Sequence, residues 1–347
     1  MIFTLLLALC AFIKADTECP IVSESSVSDR RTNKNTFRLV QYNVEWLFID
    51  YYSSANCPGN GCTWKTETDA KTHLSYVTNV LNELNPDLIN FCEVEGCDEL
   101  NMVINEMELN GLNETNVYKP YLKKGTDTST GQNVGMITKV DPLVSLYRTE
   151  TKVSYPIAGS KCGYTGSPST SGVSKHYITE YNFAGLKTAF IAAHLIAYPT
   201  DPSRCAQREA QAQVLQYVIY DYFFKGYEII LLGDMNDFDA EVLDINSDKP
   251  ISKVLDILKG LDGEYKGNYT LTNVASRIVQ NERFSDWWDS DNNCDTSSQK
   301  DYSMIDHILV TSKINSKITN AFIYHEYREY CGKWNSDHYP VVIDFAF

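Results

Sequence analysis

Glu228-Ile229-Ile230-Leu231-Leu232-Gly233-Asp234-Met235-Asn236-Asp237 is an apolar run that stops on glycine and then turns abruptly polar. A short run of this kind predicts a buried strand over Glu228 to Leu232. The same pattern recurs. Asn43 follows Leu39-Val40-Gln41-Tyr42, Glu93 follows Leu88-Ile89-Asn90-Phe91-Cys92, and His194 follows Phe190-Ile191-Ala192-Ala193. Asp306 and His307 open the run through Ile308, Leu309 and Val310, and Asp337 and His338 precede Tyr339-Pro340-Val341-Val342-Ile343. One such residue is commonly a turn former or a cap. The recurrence predicts convergence on one edge of a sheet core, where loops carry function.

Further short strands are expected at Phe37–Tyr42, Val134–Ile137, Thr188–His194 and Val341–Phe345. Helical spacing of apolar residues covers Asp69 to Leu84, ending before Pro86, and Arg204 to Phe224. The expected fold class is α/β, with sheets packed together and helices outside. Gly125–Gln132 and Gly163–Ser174 read as surface loops, and no repeat or long linker divides the chain. A signal peptide (1–15), a polar leader (16–36) and one catalytic domain (37–347) are the expected divisions.

The 347 residues, 43% hydrophobic and 22% charged, exclude wholesale disorder. The net charge of −15 argues against gripping nucleic acid by a broad basic face. It does not exclude an enzyme that meets phosphate through a metal. The opening run from Met1 to Ile13 is too short to span a membrane and fits a secretory signal. Cleavage after Ala15 is expected, with Ala11 the alternative site and an N-terminal core strand the rival reading. Ten cysteines fit an oxidised, secreted protein, with nine left once Cys10 departs with the signal. Cys57 with Cys62, Cys162 with Cys205 and Cys294 with Cys331 are plausible pairs, Cys92 being the odd thiol in an apolar run. Asn113-Glu114-Thr115 and Asn268-Tyr269-Thr270 are glycosylation sequons.

Oxygen donors such as Asn43, Glu93, Asp234 and Asp337 suit a hard cation, Mg²⁺ or Mn²⁺. Two histidines can stabilise a phosphate or protonate a leaving oxygen. The sequence carries no glycine-rich nucleotide cradle, no G-x-S-x-G elbow and no H-E-x-x-H. Metal-assisted hydrolysis of a phosphate ester by water accounts best for the inventory.

These motifs resemble the endonuclease/exonuclease/phosphatase superfamily, which includes pancreatic-type deoxyribonucleases. Tyr42-Asn43-Val44-Glu45-Trp46-Leu47 resembles its first motif, and Pro86-Asp87-Leu88-Ile89-Asn90-Phe91-Cys92-Glu93-Val94 its glutamate motif, with Cys92 in place of the usual glutamine. Gly131 to Thr138, Ala193-His194-Leu195 followed by Arg208-Glu209-Ala210, Gly233-Asp234-Met235-Asn236, Ile305 to Val310 and Ser336-Asp337-His338 complete the set in family order. The matches run from about residue 37 to 345.

The resemblance implies a four-layer α/β sandwich, two sheets face to face with helices outside. It implies Glu93 as the principal metal ligand, with Asn43 close by and Asp337 ligating or holding its neighbourhood. Asp234 would position or deprotonate the water, and Asn236 would help hold the water or the phosphate. His194 and His338 would contact phosphoryl oxygens, and Asp306 would orient a histidine. Glu95 could share the site, Glu45 reads as an exposed charge, and His307 should face the other side of its strand. His73, His176 and His325 carry no motif support. Arg204 and Arg208 are the local bases expected to meet substrate. Asp289-Ser290-Asp291-Asn292-Asn293-Cys294-Asp295 is a candidate structural Ca²⁺ loop, lacking the loop glycine and with Lys300 in the twelfth place; a solvated acidic loop is the alternative. Phe284, Trp287 and Trp288 could stack on a base, touch lipid or be core. DNA is the expected substrate. A sphingomyelin-like phospholipid or a small phosphate ester is the alternative, and a binding protein on a dead scaffold the third reading. No stable protein partner is expected.

Overall fold

The computed structural model describes residues 18–20, 27–49, 61–109, 117–291, 293–327 and 334–347. The signal segment, Cys57, Cys331 and the Asn113 sequon lie outside them.

One mixed sheet joins β1 (Thr36–Leu47), β2 (Leu88–Val94), β3 (Lys119–Leu122), β4 (Asn133–Thr138), β14 (Ile318–Ile323) and β15 (Val341–Ala346), ordered β14-β15-β1-β2-β4-β3. A second joins β7 (Lys175–Phe183), β8 (Leu186–His194), β9 (Glu228–Asp234), β10 (Thr272–Asn273) and β13 (Asp306–Val310), ordered β10-β13-β9-β8-β7. Two small ribbons, β5 (Val153–Tyr155) with β6 (Ser169–Ser171) and β11 (Asp286–Trp287) with β12 (Tyr302–Ser303), lie outside the main sheets. The helices are α1 (Glu67–Leu84), α2 (Cys97–Leu109), α3 (Pro202–Phe224), α4 (Val254–Lys259) and α5 (Ser312–Asn315).

Strand pleating explains the layers, because successive side chains alternate between faces. Leu39, Phe190, Ala192, Ile230, Leu232, Ile308 and Ile343 form the core between the sheets. The intervening Val40 and Tyr42 join the helices α1 and α2 on one outer side. Ala189, Ile191, Ile229 and Leu231 join α3 and α4 on the other. The result is the expected four-layer sandwich. Phe190 is fully buried against Tyr177 and Tyr181, so truncating it to alanine should cost about 3–5 kcal/mol.

Helix ends follow local chemistry. Thr66 caps α1 by accepting from Asp69 N at 3.1 Å, and Asp201 caps α3 by accepting from Arg204 N at 2.7 Å, with Pro202 in the first turn. Neither α2 nor β7 stands out in the sequence pattern. Part of the polar leader is pinned to the domain: Cys19 is bonded to Cys97, and Arg30 pairs with Asp141 at 2.6 Å and donates to Thr138 O and Val117 O. Cys162–Cys205 forms as expected and Cys92 is a buried free thiol. Cys62 and Cys294 are each disulfide-bonded. Among the described residues no helix is long and apolar enough to cross a membrane.

Candidate active site

The inner-face positions of β1, β8, β9 and β13 run Leu39-Gln41-Asn43, Phe190-Ala192-His194, Ile230-Leu232-Asp234 and Asp306-Ile308-Val310. The apolar members fill the core, and Asn43, His194, Asp234 and Asp306 end up on one rim. Strand register brings three of them together: His194 pairs with Asp234 across β8 and β9, and Asp306 pairs with Asp234 across β9 and β13. Gly233 is required there. It has φ 144°, and a β-carbon on it would lie 1.7 Å from Ala193 O, so only glycine lets β8 and β9 close up beside the site.

Glu93 would point away from this rim on a regular strand. A register shift between Cys92 and Val94, with Glu93 at φ 67°, turns it in. β1 shifts opposite it, with Glu45 and Trp46 also left-handed. Asn43 ties the two halves together, its Nδ2 donating to Glu93 Oε1 at 3.2 Å and to Asp234 Oδ2 at 3.0 Å. Trp46 N donates to Glu93 Oε2 at 3.1 Å. Asn236, at φ 50°, donates its backbone N–H to Asp234 Oδ1 and its side-chain amide to Leu195 O. Non-glycine residues held in this region are strained and cluster where the surroundings over-determine them.

His338 Nδ1–H donates to Asp306 Oδ2 at 2.7 Å, and Asp306 Oδ1 accepts from Gln41 Nε2 at 3.0 Å. Behind Gln41, Asn90 Nδ2 donates to its carbonyl at 2.6 Å and Tyr177 O–H donates to Asn90 Oδ1 at 2.8 Å. This buried chain leaves Asp306 one orientation. The other ring nitrogen of His338 lies 3.6 Å from Asp286 and 3.9 Å from both Asp234 and Asp337. Burial pulls the imidazole down, but Asp306, Asp286 and Asp337 outweigh it and hold His338 well above its usual value, so it is a cation at neutral pH. His194 is the opposite case: burial, then the charges of Lys175 and His338, hold it well below its usual value and neutral. His194 Nε2 lies 3.5 Å from Asp234 and 3.9 Å from Glu93, and its Nδ1 has no hydrogen-bond partner among the described residues.

Asp234 is pushed up to about 7, by burial first and then by Asp306. Asp337 is pushed up to about 7 as well, by burial and by the charges of Asp286 and Glu93. One oxygen of Asp337 is buried without a hydrogen-bond partner among the described residues. Glu93, Asp234, Asp286, Asp306 and Asp337 thus crowd one rim against Lys175 and His338. Ligand atoms of Asp234, Asp306 and His338 lie within 4.8 Å of one another, as do those of Asp286, Asp337 and His338. Five carboxylates gathered on one rim, one of them with a buried oxygen that no described residue satisfies, fit a hard divalent cation.

Two residues of the rim stand outside every sequence motif. Asp286 reaches His338 from β11 and is itself pushed up to about 6 by burial. Lys175, buried at the start of β7, pairs with His194 in register and places Nζ 3.5 Å from His194 Nε2 and 3.1 Å from Gln132 Oε1. No motif or sequence pattern marks Lys175 or the run from it to Phe183.

Several expectations are corrected. Arg208 is fully buried; its Nε donates to Asp237 at 2.9 Å and its terminal nitrogens to the carbonyls of Ile196, Ala197, Tyr198 and Pro199, so it braces a loop and presents no exposed surface to substrate. Arg204 remains exposed. Glu45 is not a free surface charge: it accepts from Asp337 N at 3.1 Å and from Thr63. Glu95 turns from the site and accepts from Ile49 N. Among the described residues, the side-chain oxygens of the acidic loop do not form a cluster that could hold a metal ion. Asp289 accepts from Asn293 N and Cys294 N, Asn293 from Asp295 N, and Asp295 from Ser297, while Asp291 is paired with Lys300. Those oxygens are spent on the loop's own backbone and on a lysine. His307 faces away as expected, held by Asn273 and Asp237 O, and Phe284 and Trp287 are core whereas Trp288 is 62% exposed.

No protein-family model matches the sequence, and no curated protein matches it either. Solved structures do match. An endonuclease/exonuclease/phosphatase family protein from Leptotrichia buccalis is 12% identical with a TM-score of 0.53, over 90% of this chain and 100% of that one. The chain adopts the endonuclease/exonuclease/phosphatase fold. A 3′ phosphatase from Neisseria bound to a product DNA hairpin is 14% identical with a TM-score of 0.53, over 90% of this chain and 100% of that one. An AP endonuclease from Archaeoglobus fulgidus is 12% identical with a TM-score of 0.52, over 89% of this chain and 99% of that one.

Proposed function

We propose that this chain is a secreted, divalent-metal-dependent phosphoric ester hydrolase whose substrate is DNA. The observation that carries the reading is Asn43, which bridges Glu93 and Asp234 from the neighbouring sheet and so joins the ligand side and the water side of one rim. Glu93, Asp337 and Asn43 would hold Mg²⁺ or Mn²⁺, which when bound lends Lewis-acid charge to a phosphoryl oxygen. Asp234 orients the attacking water and takes its proton as the water oxygen bonds to phosphorus. Asn236 keeps the Asp234 carboxylate in place. His338, a cation fixed by Asp306, gives a proton to the leaving ester oxygen as the P–O bond breaks. Neutral His194 and the Lys175 ammonium face the phosphoryl oxygens, where added positive charge favours the transition state. The DNA substrate is supported by the Neisseria structure of the same fold with a DNA product; secretion is supported by the leading apolar segment and the disulfides.

A phospholipid or small phosphate ester is the second reading, favoured by the net charge of −15 and by exposed Trp288 near Asp286. Purified protein incubated with single-stranded and plasmid DNA, RNA, sphingomyelin and a generic phosphate ester, with Mg²⁺ and with chelator, separates the readings. DNA cleavage lost on chelation, and lost in His194→Ala and Asp234→Ala variants that still fold and are secreted, is the expected result. Full activity in either variant, or turnover indifferent to chelator, overturns the mechanism.

A further inference from the structure

The loop that leaves the site from His194 toward α3 is braced more heavily than a connection requires. Leu195 N donates to Asp234 O at 2.9 Å, Ile196 N to Gln211 Oε1 at 3.0 Å, and Asp201 N to Tyr198 O at 3.2 Å. Arg208, buried beneath, spends its terminal nitrogens on four consecutive carbonyls, Ile196 through Pro199. The first turn of α3 is anchored by the Asp201 cap and by the Cys162–Cys205 disulfide.

At the crest of this loop stands Tyr198. It is left-handed at φ 71° and 63% exposed, a conformation and exposure that a tyrosine does not adopt for packing. The Arg204 guanidinium lies over its ring, 5.8 Å from the centroid. A cation on one face of an aromatic ring leaves the other face for a flat partner. Tyr198 follows His194 by four positions, so their Cα atoms are at most about 14 Å apart. An exposed, rigid ring with a guanidinium beside it, this close to the phosphate-cleaving rim, has the chemistry of a nucleotide contact: a π-face for a base and a cation for a phosphate.

We propose that Tyr198 and Arg204 form a platform for the nucleotide flanking the scissile phosphate, the ring stacking on an unpaired base and the guanidinium meeting the adjacent phosphate. The inference rests on the nucleic-acid reading above. It makes the enzyme prefer single strands or unpaired ends over intact duplex, because a base inside a duplex has no free face to offer.

The test is steady-state cleavage of a single-stranded oligodeoxynucleotide and of the same strand made abasic on either side of the cleaved bond. Wild type should favour the intact strand, and Tyr198→Ala should shrink that preference about ten-fold through KM rather than kcat. Tyr198→Phe should retain the preference, and Arg204→Ala should raise KM for both strands. Tyr198→Leu replaces the alanine variant if the latter does not fold. An intact-over-abasic preference equal in wild type and in Tyr198→Ala overturns the platform while leaving the nuclease reading standing. A wild type that cleaves no nucleic acid at all overturns both.

Discussion

Asp306→Asn is the substitution that most directly tests how the rim handles protons. It keeps the shape of the side chain and removes a charge 2.7 Å from His338 Nδ1 in a position with no solvent exposure. At that distance, with an effective dielectric of about 20, the gross attraction is about 6 kcal/mol. Asp286 at 3.6 Å and Asp337 at 3.9 Å still face the other ring nitrogen, so only part of the elevation is lost. A charged hydrogen bond is typically worth about 1.5–3 kcal/mol, so the His338 imidazolium should weaken by about 1–2 pH units. The sign follows from the role. The acid works while protonated, so activity falls as pH rises through the His338 value, and the variant should lose activity about 1–2 pH units lower. The assay is the pH–rate profile of phosphodiester cleavage at saturating divalent ion, paired with NMR titration of the His338 ring. An alkaline limb that does not move, in a variant that folds and whose His338 titration has shifted, refutes His338 as the proton donor.

Replacing Lys175 with methionine removes a buried ammonium beside His194; a loss of roughly 10²–10³-fold in kcat with little change in thermal stability is expected, measured by steady-state hydrolysis. His176 is held down to about 4, by burial and then by Arg148, and its Nε2 accepts from Thr149 N at 3.0 Å. The native state therefore keeps it neutral while the unfolded chain takes up a proton below about 6.5; its contribution is complete above that pH and declines toward pH 4 by up to about 3 kcal/mol. Urea midpoints should fall over that window, and His176→Gln should flatten the fall. Opening the Cys162–Cys205 disulfide by a double alanine replacement frees a loop of 43 residues in sequence and should cost up to about 4 kcal/mol, read as a lower urea midpoint.

Much of this protein is legible in its sequence. The alternation in β1, β8, β9 and β13 is local, and a period of two residues dictates that an inward-facing apolar series ends in an inward-facing polar residue. That is why Asn43, His194, Asp234 and Asp306 read as one set, and why His307 belongs to the opposite face. Residues outside strand ends are harder. Asp286 lies on a two-residue strand and Lys175 on a strand that carries no motif; neither has meaning until β7 is registered against β8 and β11 is brought to His338. Arg208 shows the converse. A basic residue on the helix after His194 reads as a substrate contact from sequence, yet Arg208 is fully buried beneath the 196–199 backbone it braces.

The sequence by itself determined which side chains point inward, where the strands stop and what chemistry their ends carry, because these depend on neighbours within a few positions. Only the tertiary structure decided that Glu93 turns into the rim, that Asn43 reaches both Glu93 and Asp234, that His338 is cationic while His194 is neutral, and that Tyr198 stands exposed over a braced loop. The reach of Asn43 spans 50 residues to Glu93 and 191 to Asp234. Contacts between segments so far apart, and the burial they create, are contained in no local window of sequence.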